Sequence, residues 1–267
     1  MKMEKLDFSE YLGVGEETAR AAGQILLDYA GNFHVHEKGR ADLVTEADFA
    51  SQEKVKSMLL HAFPNHRILG EENIPGTDAA GGEGIYRWIV DPLDGTTNYV
   101  HSFPNFAVSL ALEIDLKICV GIIFQPVTGE CFTAVRGRGA FLNGKPIRTS
   151  SVTDVEKSLV AVGFPPGANH ESPDVRAFGN VLPFTHAVRR TGSTAMNLAF
   201  TACGRLEACW NFGTKPWDAA AGVLLVQEAG GSVRGIDGKP FNVDNGHFLA
   251  SGNETLQSKF QKLIHQK

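Results

Sequence analysis

No stretch of this sequence approaches the ~18–20 consecutive apolar residues of a membrane-spanning helix, so a bilayer-embedded protein is not expected. Cysteine is scarce, with Cys119, Cys131, Cys203 and Cys209 the only four in 267 residues. None lies in a CxxC pair or at zinc-site spacing from histidine. That argues against a disulfide framework or structural zinc and for reduced, mostly buried thiols. Basic residues are outnumbered, 25 Lys and Arg against 30 Asp and Glu, for a formal net charge of −5. Such a balance offers no basic footprint for nucleic acid or an anionic membrane. Phosphorylated substrates stay open, because a bound cation reverses the sign of a site locally. The start, Met1-Lys2-Met3-Glu4-Lys5, leads into polar and acidic residues rather than an apolar signal core. A cytoplasmic location is therefore expected.

What is present suits a folded chain with a substantial core: 43% apolar and 21% charged residues. Helical spacing of apolar residues predicts helices over 4–30, with an interruption at 13–15, and over 45–63. A short strand is expected at 68–69 and a loop over 73–84. Strands follow at 86–90, 106–114, 118–124 and 130–135, the last three joined by short turns that favour antiparallel pairing. Beyond residue 150 the pattern becomes a more regular alternation. Strands are expected at 158–164, 187–191 and 207–212, and helices at 172–182, 194–202 and 218–229. The change predicts two lobes, 1–150 and 151–267, with no internal repeat.

The segment Trp88-Ile89-Val90-Asp91-Pro92-Leu93-Asp94-Gly95-Thr96-Thr97-Asn98 carries the sharpest chemistry. An apolar strand runs into an acid, a proline and a second acid. A strand end is a rigid mount, and Pro92 fixes the turn between Asp91 and Asp94. Carboxylates and the Leu93 carbonyl are the hard oxygen ligands that Mg²⁺ prefers. Gly95 lets backbone N–H groups approach a phosphate, and Thr96 and Thr97 can open a helix whose N-terminus favours an anion. Asp-x-x-Asp alone would be an ordinary turn with solvated acids; the full string is much rarer. Three further segments each have a plain alternative. Glu71-Glu72, after Ile68-Leu69-Gly70, is a second acidic pair or a surface loop. Asp218 in Trp217-Asp218-Ala219-Ala220-Ala221-Gly222 is a ligand or a helix cap. Gly192-Ser193-Thr194 is a phosphate- or hydroxyl-binding helix start or a cap. His101 follows the motif closely but lacks a partner and is expected to be structural or at the surface.

Together, Gly70-Glu71-Glu72, the Asp91–Asn98 string, Gly192-Ser193-Thr194 and Trp217–Gly222 resemble the inositol monophosphatase family in order and spacing. The segment 38–48, KGRADLVTEAD, and Glu228-Ala229-Gly230-Gly231 extend the resemblance over most of the chain. It implies an α/β fold, a layered α-β-α-β-α sandwich of the inositol monophosphatase and fructose-1,6-bisphosphatase type, usually as a homodimer. It implies that Glu71, Asp91, Asp94, Asp218 and the Leu93 carbonyl hold two or three Mg²⁺ ions. Asp48 and Thr96 would help Glu71 activate the attacking water. The Gly95 and Thr96 N–H groups would bind phosphate, with Asp94 and Asp218 also facing the substrate. Gly192, Ser193 and Thr194 would line its alcohol side. The implied activity is hydrolysis of a small phosphorylated polyol, inositol monophosphate first, with sensitivity to Li⁺.

One position departs from the family pattern. A glutamate commonly stands where this chain has Asn211, seven residues before Asp218. Asparagine keeps hydrogen-bonding capacity but no charge, which puts inositol itself in question. Histidinol phosphate is a rival substrate, although its ammonium group would want a carboxylate there. Fructose 1,6-bisphosphate is another, with Arg189, Arg190 or Lys215 available for a second phosphate. A non-catalytic regulatory binding protein on the same fold is the rival of a different class, and a lost metal ligand would favour it.

Overall fold

The computed structural model describes residues 7–39, 42–77, 81 and 84–266, with only the backbone described for Lys38 and Asp42. Residues 4–6 of the expected first helix, Arg40 and Ala41 of the 38–48 segment, and part of the 73–84 loop lie outside the described residues.

The chain begins with α1 (Ser9–Tyr29), a hairpin of β1 (Val35–Gly39) and β2 (Asp42–Thr45), and α2 (Glu46–Ala62). Next come β3 (Arg67–Gly70), β4 (Tyr86–Asp94), the five-residue helix α3 (Thr96–Val100), β5 (Ala107–Ile114), β6 (Lys117–Gln125), β7 (Glu130–Val135), β8 (Gly139–Leu142) and β9 (Lys145–Pro146). These strands form one seven-stranded sheet in chain order, β3 to β9, antiparallel except for the β3–β4 pair. The rest of the chain provides β10 (Leu159–Val162), α4 (Pro173–Val181), β11 (Ala187–Arg189), α5 (Thr194–Ala202), β12 (Ala208–Phe212), α6 (Pro216–Glu228), β13 (Ser232–Arg234), β14 (His247–Ser251) and α7 (Glu254–Ile264). Its sheet has five strands in the order β11-β10-β12-β14-β13.

Alternation along the central strands sets the layers. On β4, Trp88 and Val90 join Leu26 of α1 and Leu59 of α2 in one apolar cluster. Ile89 faces the other way, with Leu198 of α5, Leu224 of α6 and Cys209 of β12. Trp210, the next residue on β12, packs with Val181 of α4 and Phe260 of α7. The order is therefore helix pair, seven-stranded sheet, helix pair, five-stranded sheet, helix pair, the expected α-β-α-β-α sandwich. Each fully buried aliphatic or aromatic side chain in these layers contributes about 1.5–3 kcal/mol of transfer free energy. The middle layer is thin because its helices are small-residue helices. A Cβ on Gly121 of β6 would lie 2.7 Å from the Ala221 carbonyl, and one on Gly222 would lie 2.4 Å from Leu198.

Three departures from the sequence expectations have local causes. The first helix is not interrupted at 13–15. Gly15 is a buried contact on α1, and a Cβ there would come within 2.5 Å of Ile122 on β6. The strand expected at 86–90 runs on to Asp94, because β4 keeps pairing with β5 across a bulge between Asp91 and Asp94. Pro92, which has no N–H to give the ladder, sits inside that bulge. The hairpin of β1 and β2, and β8, β9, β13, β14 and α7, have no counterpart in the sequence expectations. All four cysteines are free thiols, three of them buried. Among the described residues no helix is long and apolar enough to cross a membrane.

Candidate active site

The end of β4 is built as a turn of short contacts. The Leu93 N–H donates to Asp91 Oδ1 at 3.0 Å, and the Ser51 hydroxyl of α2 donates to the Pro92 carbonyl at 2.9 Å. Gly95 follows at φ +97°, the left-handed region that glycine tolerates, and a Cβ there would lie 3.1 Å from the Asn105 carbonyl. Asn98 ties this turn to the second half of the chain, donating through Nδ2 to the carbonyls of Asn105 at 2.7 Å and Thr191 at 2.8 Å.

Asp48 comes from the first turn of α2. Its Oδ2 accepts from the Thr45 N–H at 2.8 Å and the Thr45 hydroxyl at 2.7 Å, closing a capping box, and its Oδ1 accepts from the Thr96 hydroxyl at 3.2 Å. The Thr96 hydroxyl also lies 3.1 Å from the Leu93 carbonyl. Burial pushes the Asp48 carboxyl up to about 6, against the lowering effect of the Thr45 and Thr96 hydrogen bonds. Glu71 follows β3 and is anchored by its N–H to the Val90 carbonyl at 3.1 Å. Its neighbour Glu72 is buried, and Gln52 of α2 grips its backbone from both sides.

Asp94 is held across the molecule by the start of α5. The Ser193 hydroxyl and the Ala195 N–H donate to Oδ2, the latter at 2.7 Å, and the Thr194 N–H donates to Oδ1 at 3.2 Å. The N-terminus of α5 therefore carries a protein carboxylate, and the Ser193 hydroxyl reaches the cleft through Asp94. Asp218, in the first turn of α6, accepts at Oδ2 from the Lys215 N–H at 2.8 Å. Asn211 on β12 donates through Nδ2 to the Thr194 hydroxyl at 3.1 Å.

These groups share one cleft of 640 Å³. Glu71, Asp94, Gly95, Thr96, Gly192, Ser193, Thr194, Asn211 and Asp218 line it. Asp48, Asp91 and Leu93 are buried beside it. Arg190 and Lys215 also line the cleft, whereas Arg189 and His101 are exposed residues outside the lining. The charge balance is severe. Burial first, then Glu71, Asp94 and Asp218, push the Asp91 carboxyl well above the usual carboxylate range. Burial and then Asp94 do the same to Asp218. Burial raises Asp94 to about 6, although the Ser193, Ala195 and Thr194 donors pull it down.

A set of hard oxygen donors that raise one another's proton affinity is relieved by a hard cation, so the donor chemistry fits Mg²⁺. The fit is chemical rather than preformed. Among the described residues, no three His, Cys, Asp or Glu side chains are already gathered in a metal-holding geometry. Asp94 is turned toward α5 and Asp218 toward its own helix start. Ser51 and Gln52, which brace this turn and the Glu72 backbone, carry no signal in the sequence analysis, and Asn98 is named there only as the end of its motif, without this bracing role. The Thr45-x-x-Asp48 spacing is a capping-box signature, but buried polar residues in mid-helix have no local signal.

The model of the Inositol monophosphatase family matches residues 7–267. The chain is 41% identical over 268 residues to inositol monophosphatase 2 of Solanum lycopersicum, covering 96% of this chain and 98% of that protein. It is 39% identical over 254 residues to the Nus factor SuhB of Pseudomonas aeruginosa, covering 92% and 93%. The crystal structure of the extragenic suppressor protein suhB from Bartonella henselae superposes with a TM-score of 0.89 at 37% identity, covering 97% of this chain and 99% of that one. The chain belongs to the inositol monophosphatase family, a family of phosphomonoester hydrolases.

Proposed function

We propose that the protein hydrolyses a small phosphate monoester with Mg²⁺, inositol monophosphate being the leading substrate. The observation that carries this reading is that Glu71, Asp94 and Asp218 line one cleft with Asp91 buried beside it, where burial raises the three aspartates and repulsion from neighbouring carboxylates adds to it at Asp91 and Asp218. Two or three Mg²⁺ ions held by these carboxylates and the Leu93 carbonyl would polarise the phosphoryl group, acidify a water and neutralise the leaving alkoxide. Glu71, at the cleft wall, takes the proton of the attacking water. Thr96 orients that water through a hydroxyl braced by Asp48 and the Leu93 carbonyl. The Gly95 and Thr96 N–H groups face the phosphate. Gly192, Thr194 and Asn211 face the alcohol, and Ser193 fixes Asp94 between the two halves of the substrate.

The lobes 1–150 and 151–267 each supply part of this site, the first most of the ligands and the second Asp218 and the alcohol-facing wall. We place the enzyme in the cytoplasm as a homodimer and expect Li⁺ to inhibit it at a Mg²⁺ site. Fructose 1,6-bisphosphate is the second substrate reading, supported by Arg190 and Lys215 in the cleft lining. Histidinol phosphate is disfavoured by the neutral Asn211. A non-catalytic regulatory role would not require the carboxylate set, all of which is present.

The test is phosphate release, with Mg²⁺, from inositol monophosphate, histidinol phosphate, fructose 1,6-bisphosphate and nucleotide phosphates, by the wild type and by Asp91→Asn. The reading predicts the highest kcat/KM on inositol monophosphate and its abolition in the variant. Undiminished turnover by Asp91→Asn, or no hydrolysis of any monoester, would overturn it.

A further inference from the structure

The loop that carries Asp218 to the cleft is pinned by a residue far away in sequence. β12 and β14 pair antiparallel as far as Phe212 and His247. Beyond that pair the chains stay locked, because the Gly246 carbonyl accepts three hydrogen bonds. They come from the Gly213 N–H at 2.9 Å, the Thr214 N–H at 2.7 Å and the Thr214 hydroxyl at 2.9 Å. The Gly213 N–H also donates to His247 Nδ1 at 2.8 Å. One residue later the Lys215 N–H donates to Asp218 Oδ2, and Pro216 opens α6. Little torsional freedom is left between the pinned carbonyl and the carboxylate, since Pro216 has a fixed φ and both residues before it are hydrogen-bonded.

Position 246 also has no space for a side chain. Gly246 is buried at φ +62°, and a Cβ there would sit 1.9 Å from the Thr214 carbonyl. Thr214 is itself buried, 7% exposed, in the wall of the cleft, so its hydroxyl bond to Gly246 is shielded from water. A strand-end turn needs only the two backbone bonds to Gly246. The third, from a buried hydroxyl, fixes the direction in which the chain leaves the sheet toward α6.

We propose that Gly246 and the Thr214 hydroxyl form a positioning clamp that sets the Asp218 carboxylate for its cation. This rests on Asp218 being a metal ligand, as proposed above. The clamp predicts that loosening it weakens cation binding more than it weakens the fold. Lost stability alone would be the signature of an ordinary turn.

The experiment is a thermal-shift titration of the full chain with Mg²⁺ alone, no substrate present. It compares the wild type with Thr214→Val, which removes the hydroxyl at nearly constant shape, and Thr214→Ser, which restores it. Thr214→Val should raise the Mg²⁺ concentration for the half-maximal shift roughly two- to tenfold, the range one hydrogen bond carries. Its melting temperature in chelator should stay near that of the wild type, and Thr214→Ser should return the Mg²⁺ midpoint to the wild-type value. Equal midpoints for Thr214→Val and the wild type, or the same change in Val and Ser variants, would overturn the clamp while leaving the metal reading intact. A wild-type protein without any Mg²⁺-dependent shift would overturn both. Gly246→Ala must push Thr214 away, so it should show the larger midpoint change; a folded Gly246→Ala protein with an unaltered midpoint would also refute the proposal.

Discussion

Thr96 has one hydroxyl proton and two nearby acceptors, Asp48 Oδ1 and the Leu93 carbonyl. A group held in this way orients a water rather than holding a substrate, so its effect belongs to the transition state. Thr96→Ala should lower kcat by roughly 10²–10⁴-fold, the scale of a general acid–base component, with little change in KM. A raised KM at unchanged kcat, measured by steady-state phosphate release, would make Thr96 a phosphate-binding group instead. Asn211 acts on the other half of the substrate. Its Nδ2 is committed to the Thr194 hydroxyl, and it lies so close to Gly163 that a Cβ there would be 2.1 Å from Nδ2. The amide oxygen, a neutral acceptor, and the second Nδ2 hydrogen are what the side chain has left to offer a polyol, with no charge on either. Asn211→Glu should therefore raise the ratio of kcat/KM for inositol phosphate over glycerol phosphate by roughly 1–2 kcal/mol, about 5–30-fold. Equal effects on both substrates would reduce Asn211 to a packing residue.

At the scale of elements, the site depends on where strands and helices end. The β4 bulge places Asp94 in the cleft lining and Asp91, three residues earlier, buried beside it, and the α5 N-terminus holds the first of these. The connection between α2 and β3 has a titrating group of its own. His66 stacks on Phe63 and Tyr86 and accepts at Nδ1 from the Trp88 indole N–H at 3.1 Å. Burial pushes the imidazole down from 6.5 to about 4. The unfolded chain therefore binds more protons than the fold in that interval, and stability rises with pH there. The contribution of His66 is fully present above its unfolded value of 6.5 and is lost as pH falls through about 4. Replacing it by His66→Gln, which keeps an acceptor for Trp88 without a titrating ring, should shrink the drop in Tm between about pH 7 and about pH 5. An identical drop in both proteins, measured by thermal denaturation, would remove His66 from the acid limb.

Over the whole molecule, five layers bring side chains from residues 48 to 218 together in and beside one cleft. Much of that was legible in the sequence because the signals were local. The helix over Thr194–Ala202 and the strand over Glu130–Val135 appeared with the expected limits, set by Ser193 as N-cap and by clean turns. The Asp91–Asn98 string and Asp218 were visible as turn and cap chemistry, and agreement among the segments gave the family. The missed parts depend on distant partners. β13, only three residues long, exists because β14 pairs with it. The α1 helix stays continuous through Gly15 because Ile122 and Trp88 press against it. Ser193 lines the cleft, and its hydroxyl also bonds to Asp94, an aspartate 99 positions earlier, a pairing that no local window contains. α7 is different: Asn253 caps it and Leu256, Phe260 and Ile264 recur on its buried face, so its signal was present in the chain. The central claim is that the converging carboxylates work by holding Mg²⁺. The most direct test is release of inorganic phosphate from inositol monophosphate while Mg²⁺ is titrated in and then removed with excess EDTA. The account predicts release that rises with Mg²⁺, stops on chelation and returns when Mg²⁺ is restored; release that continues undiminished in excess EDTA would contradict it.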